Sequence, residues 1–157
     1  MKSLTERFVI DTNCLINIDK YSKEVFPSLW DNIHKLVYNR TIFSLKEVQE
    51  ELNNSNGPIY EYWDKIDEKI GFFVELDDDE ISCLGKLEEF DKFHKKGETK
   101  PFFADPYLIA FGLSTGCIVL TDEHRPNSED SIPYVCKQVN VQYMDLTEFM
   151  IYQGWKW

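Results

Sequence analysis

Acidic residues stand where apolar runs end or helices begin, and that placement suggests a chemistry. Asp11 directly follows the run Phe8-Val9-Ile10. Asp122 and Glu123 follow Cys117-Ile118-Val119-Leu120 after a single threonine, Thr121. Glu47 and Glu51 lie one helical turn apart after Ile42-Phe43, so both face one side. Asp105, followed by Pro106, heads an apolar stretch. Such a set offers only oxygen, which suits hard cations, Mg²⁺ or Mn²⁺. Around one or two such ions, carboxylates can activate water and clamp a phosphodiester for in-line displacement. His34, His94 and His124 have no zinc-like spacing to these acids.

Each acid also has an ordinary use. Asp105 before Pro106 suits an N-cap followed by the first helical position. Ser44-x-x-Glu47 has the form of a capping box, which would account for Glu47. Glu51 fits a solvated helix face, and Asp122-Glu123 fits a turn. Asp11 is the hardest to place this way, because a carboxylate at the end of a buried strand is costly unless it binds or caps something. The case for a site rests on their joint occurrence.

The elements that would position them alternate between strand and helix. Phe8–Ile10, Ile42–Phe43 and Cys117–Leu120 read as strands buried on both faces. Val139–Tyr143 reads as a last strand, and Phe72–Val74 as a short strand or connector. Helices are expected from about Leu15, over Val25–Tyr38, from Ser44 through Leu52, from about Ile59 to Ile70, over Asp79–Phe93, from Asp105 to Leu113, and over Leu146–Tyr152. Asn53–Pro58 reads as a turn, His94–Lys100 as a basic loop, and Gly116 as a left-handed helix stop. Strands joined by helices predict an α/β fold, a three-layer α/β/α sandwich with a central, mainly parallel sheet. In such folds the functional crevice lies beyond the C-terminal strand ends. Asp11, Glu47/Glu51 and Asp122/Glu123 fall there by topology. Asp105 joins them if its helix runs antiparallel to the strand it feeds.

The 157 residues fit one domain, spanning 1–157, with an ordinary apolar content of 43% that excludes a disordered chain. No apolar run approaches a membrane span, and Met1–Asp11 resembles neither a signal nor a transit peptide, so a cytoplasmic location is expected. Cys14, Cys83, Cys117 and Cys136 form no CxxC pair and are read as reduced thiols. The net charge of −11 argues against coating nucleic acid by bulk attraction, and equally suits a basic protein partner. No Walker-type or GxGxxG loop supports nucleotide binding. An aspartyl phosphatase would need a second Asp where Asn13 stands.

These residues resemble a known family. Phe8-Val9-Ile10-Asp11-Thr12-Asn13-x-Leu15-Ile16 is similar to the opening motif of PIN domains. Ser44 through Val48-x-x-Glu51-Leu52 resembles their second motif, Ala104-Asp105-Pro106-x-Leu108-Ile109-Ala110 the third, and Cys117 through Glu123 the fourth. The order and spacing match over roughly residues 7–150. The resemblance implies a PIN-like, Rossmann-like fold and an Mg²⁺- or Mn²⁺-dependent ribonuclease. Asp11 and Asp105 would be core metal ligands and Glu51 the second acid, with Thr121 ordering the site. PIN toxins carry Thr-x-Asp in the fourth motif; Thr121-Asp122-Glu123 places Glu at that position, so either Glu123 or Asp122 would complete the set. Small PIN proteins are commonly toxins of toxin–antitoxin pairs and often dimerise. RNA, an antitoxin and a second copy are therefore the implied partners. A PIN-like protein that binds a protein or nucleic acid without catalysis is the alternative.

Lys92, Lys95, Lys96 and Lys100, with His124 and Arg125, are candidates to hold RNA phosphates, or else simply a solvated charged surface. Asn13 suits an orienting role or a helix cap. Tyr60–Trp63 and the Trp155/Trp157 tail suit packing on the body or an interface.

Overall fold

The computed structural model describes residues 6–54, 61–100 and 102–156. The apolar runs form five short strands: β1 (Phe8–Ile10), β2 (Ile42–Leu45), β3 (Phe73–Val74), β4 (Ile118–Leu120) and β5 (Tyr143–Met144). They pair in parallel in the order β3-β2-β1-β4-β5. The fold is the expected α/β/α sandwich, with the sheet parallel throughout. β1 is the middle strand and β4 its neighbour, and every residue of both is buried. No helix among the described residues is long and apolar enough to cross a membrane.

Between the strands lie α1 (Thr12–Asp19), α2 (Pro27–Tyr38), α3 (Lys46–Asn54), α4 (Glu61–Ile70), α5 (Asp78–Ser82), a 3₁₀ turn (Cys83–Leu87), α6 (Asp91–Glu98), α7 (Asp105–Thr115), α8 (Ile132–Val139) and α9 (Leu146–Tyr152). α7 is buried over most of its length, as its nearly all-apolar sequence requires. Gly116 ends it at φ 78°, a left-handed conformation that glycine adopts without steric penalty. β4 follows after the reversal, so α7 runs back across the sheet and its head, Asp105, returns to the strands' C-terminal edge.

Several expectations are corrected. α1 starts at Thr12 rather than Leu15, because Asp11 caps it by accepting from the Thr12 N–H at 2.7 Å. α2 starts at Pro27, not Val25. Ser44 does not start a helix or form a capping box. It lies in β2, where its hydroxyl donates to the Ile10 carbonyl at 2.6 Å, satisfying a buried polar group across the β1–β2 seam. The single helix expected over Asp79–Phe93 is broken into α5, the 3₁₀ turn and the start of α6. The Asp77–Glu80 capping box starts the first piece, and the non-helical backbone of Phe90 separates the last. His94–Glu98, expected in a loop, belong to α6. Asp105 is not an N-cap: Ala104 holds that position and Asp105 is the first helical residue. Val139, expected to open the last strand, ends α8 instead, and that strand is displaced to Tyr143–Met144. The Asn53–Pro58 turn, the onset at Ile59, Tyr60 and Trp157 fall wholly or partly outside the described residues. Trp155 packs edge-on against Phe149, ring centroids 5.7 Å apart. Among the described residues all four cysteines are free thiols.

Candidate functional site

The site starts from the β1–β4 ladder. Ile10 pairs with Leu120, and the Asp11 N–H donates to the Leu120 carbonyl at 2.8 Å. The next position on β4 is Thr121, whose hydroxyl donates to Asp11 Oδ2 at 2.9 Å. Asp11 Oδ1 accepts from the Thr12 N–H. Two donors thus fix a carboxylate that is only 4% exposed. Asn13 ties the same corner together. Its amide nitrogen reaches Thr121 Oγ1 at 3.4 Å, and its oxygen accepts from the Asp122 N–H at 3.0 Å. Its role is to brace the turn after β4 rather than to cap α1.

The other acids arrive on helices. From α3, Glu51 accepts the Ala104 N–H at 2.5 Å and so secures the head of α7, where Ala104 has no side-chain cap of its own. Asp105, in that first turn, is 9% exposed. From the turn after β4, Glu123 approaches the same region. Lys96 of α6 lies between the two, its ammonium 3.6 Å from Asp105 Oδ2 and 3.4 Å from Glu123 Oε1. This lysine is itself mostly buried and also donates to the Asp130 carbonyl. Glu123 accepts further bonds from Arg125 at 2.8 Å and from the Ile132 N–H at the head of α8.

The charges confirm that these carboxylates feel one another. Burial pushes Asp11 well above the ordinary carboxylate range, and the charges of Asp105 and then Glu51 push it further. The opposing contributions come from the Thr121 and Thr12 hydrogen bonds, not from a cation. Asp105 is pushed up to about 7, first by burial and then by Glu123 and Glu51, while Lys96 and Lys100 pull it back. Glu51 therefore bears on both Asp11 and Asp105, and Glu123 on Asp105, through their negative charge.

Asp122 is directed elsewhere. Its Oδ1 accepts the Leu146 N–H at 2.8 Å and its Oδ2 accepts the Asn17 amide at 2.5 Å, so it fastens α9 and α1. Glu47 points to neither acid. It lines a separate cavity, and one of its oxygens is shielded from solvent with no hydrogen-bond partner among the described residues. His124 sits 3.7 Å from Asp145, and Lys92 pairs with Glu129, both at the surface.

An all-oxygen donor set fits a hard divalent cation in chemistry. It fits in charge as well, since the Asp11 end is crowded by like charge. Beside it the buried Thr12 hydroxyl has no partner among the described residues. The shell is not preassembled, however. Among the described residues no three His, Cys, Asp or Glu side chains converge as ready metal ligands, and Lys96 holds the space between Asp105 and Glu123. The sequence offers Lys96 as a candidate for holding RNA phosphates, not as the ion-pair partner of Asp105 and Glu123 that it is here. The signal was there, because Phe93 and Lys96 are three apart in what is now α6; with Phe93 buried, Lys96 follows onto nearly the same face.

No curated protein matches this chain. Residues 8–157 match the family described as a domain of unknown function, DUF4411, and the chain belongs to that family.

Proposed function

We propose that this chain is a PIN-like, Mg²⁺- or Mn²⁺-dependent endoribonuclease. The observation that carries the reading is the buried like-charge group: Asp11 and Asp105 both raised, each by burial and by neighbouring carboxylates. Buried carboxylates at the C-terminal edge of a parallel sheet, crowded by more negative charge than Lys96 offsets, call for a further cation. Asp11 and Asp105 would hold it, with Glu51 and Glu123 beside them and Thr121 orienting Asp11. When bound, the ion would lower the pKa of a water and screen the charge on the scissile phosphate.

The chain's own residues have separable tasks. Thr121 and the Thr12 N–H keep Asp11 in one rotamer, so its position does not depend on the ligand. Glu51 fixes the head of α7 and with it Asp105. Lys96, once freed from Asp105 and Glu123, and Lys100 supply positive charge toward an RNA phosphate. An antitoxin or a second copy as partner belongs to the same proposal.

The test is incubation of single-stranded RNA with the protein and Mn²⁺. Cleavage should be abolished by EDTA and reduced at least about a hundredfold in Asp11→Asn and Asp105→Asn. RNA left intact at high protein concentration, in Mn²⁺ and in Mg²⁺, would sink the reading. A second reading has one observation in its favour: Lys96 already neutralises part of the cluster. On that reading the fold binds a partner without catalysis, and intact RNA is the expected result.

A further inference from the structure

Beside the first turn of α7, a cavity of about 510 Å³ opens between α3, the 3₁₀ turn and α6. That volume is in the range of roughly 300–1,000 Å³ typical of ligand sites. One wall is aromatic, made by Phe93, Phe102, Phe103 and Tyr107. Phe102 remains 40% exposed at this wall, unusual for so large an apolar ring. Gly97 lets α6 close over it: a Cβ there would lie 2.6 Å from the Phe103 ring.

The rest of the lining is acidic. Glu47 and Glu50 come from α3, Glu88 from the end of the 3₁₀ turn and Glu98 from α6. Among the described residues none of these four is in an ion pair. The basic residues at the cavity are His94 and Lys100, and the Lys100 ammonium lies over the Phe103 ring, 5.4 Å from its centroid, instead of on a carboxylate. Glu47 adds the shielded oxygen that has no hydrogen-bond partner among the described residues.

From this lining we infer that the cavity is a docking site for a basic, apolar-stemmed side chain, an arginine carried on an extended segment of a partner protein. An aliphatic stem lies against the aromatic wall, and a guanidinium gives its fork of N–H groups to the glutamates, with Glu47 turning its shielded, unpaired oxygen to accept. A polyanion is the wrong complement, because its phosphates would meet four carboxylates. The chain's net charge of −11 favours the same class of partner over long range. The inference does not depend on the nuclease reading, since none of the metal candidates lines the cavity.

The probe is a peptide of alternating arginine and leucine, compared with its citrulline counterpart, which keeps the shape and loses the charge. Both are titrated into the ¹⁵N-labelled full chain. The arginine peptide should shift the amides of Glu47, Gly97, Glu98 and Phe103, and bind at least about tenfold tighter than the citrulline peptide. Glu47→Gln should remove most of that difference. If Glu47→Gln does not fold, the exposed pair Glu50→Gln/Glu98→Gln should weaken the arginine peptide in the same direction. Equal affinity for the two peptides overturns the proposal. So do shifts confined to another face, or tighter binding of an RNA oligonucleotide at these same amides.

Discussion

Acids begin helices in two regions of this molecule, with opposite consequences. At the periphery, Asp77 caps α5 and Asp145 caps α9, each in a reciprocal capping box with a glutamate three residues on. At the sheet edge, Asp11 caps α1 and Asp105 occupies the first turn of α7. All four lie at helix starts, where amide N–H groups and the helix dipole favour negative charge. Hydrogen bonds from Glu80 hold Asp77 below the ordinary carboxylate range. Asp11 and Asp105 are raised instead. The difference lies in burial and in the company of like charges. A cap alone does not make a site; a cap sunk among other carboxylates does.

The largest expected effect is on stability against pH. Burial pushes Asp105 from the ordinary 3.8 up to about 7, so between these values the folded state binds more protons than the unfolded one. Stability from this group is full below about pH 4 and is lost as pH rises toward 7, at up to about 1.4 kcal/mol per unit. Asp11 acts in the same direction and titrates jointly with it. Asp19, also raised to about 7 by burial, adds a smaller drop because it is less deeply buried. Chemical denaturation of metal-free protein across pH 4–8 should show Asp105→Asn flatter than wild type, with Mn²⁺ restoring the wild type at neutral pH. A wild type and variant with parallel profiles would erase the distinction between buried and peripheral caps.

Next in size is Lys96→Met, which leaves Asp105 and Glu123 facing each other. It should cost about 2 kcal/mol near pH 7 without metal, part of what breaking a buried pair costs, since the site retains some solvent. Calorimetry should show the variant binding Mn²⁺ more tightly, because the resident cation is gone; weaker binding would make Lys96 part of the metal-loaded arrangement.

Smaller again is the contrast between adjacent acids. Asp122→Ala should lose roughly 1–2 kcal/mol of stability through the Leu146 and Asn17 bonds, with RNA cleavage per folded molecule unchanged. Glu123→Gln should do the reverse. The smallest effect is Asp145→Ala, about 1 kcal/mol from one surface cap, with no change in metal binding.

The elements legible in the sequence were those whose pattern admits one reading. Phe8–Ile10 and the stretch before Thr121 are uninterrupted apolar runs, and Gly116 ends a helix too apolar to lie at the surface. They suffice to bring Asp11, Asp105 and the 121–123 turn to one edge. Less visible were features decided by tertiary contact. Ser44 looks like a cap until the Ile10 carbonyl is beside it. Ile81, Leu84, Leu87 and Phe90 keep a three-residue interval straight through a chain that is broken twice, because a 3₁₀ turn has nearly that period. α8 carries its signal in Ser131 followed by Pro133, the pattern of a capped helix start. Of Asp122 and Glu123, only the position of the Leu146 N–H tells which faces the cluster.

The three rungs joining Phe8, Val9 and Ile10 to Ile118, Val119 and Leu120 act as a gauge for what lies one step beyond them. At that step a hydroxyl meets a carboxylate, Thr121 against Asp11. Deleting one residue from β4 would advance the chain beyond it by a single notch and bring Asp122 to face Asp11, anion against anion, while turning each β4 side chain after the deletion to the opposite face. Length drift in this hairbreadth of strand is therefore forbidden twice over, by the core and by the edge.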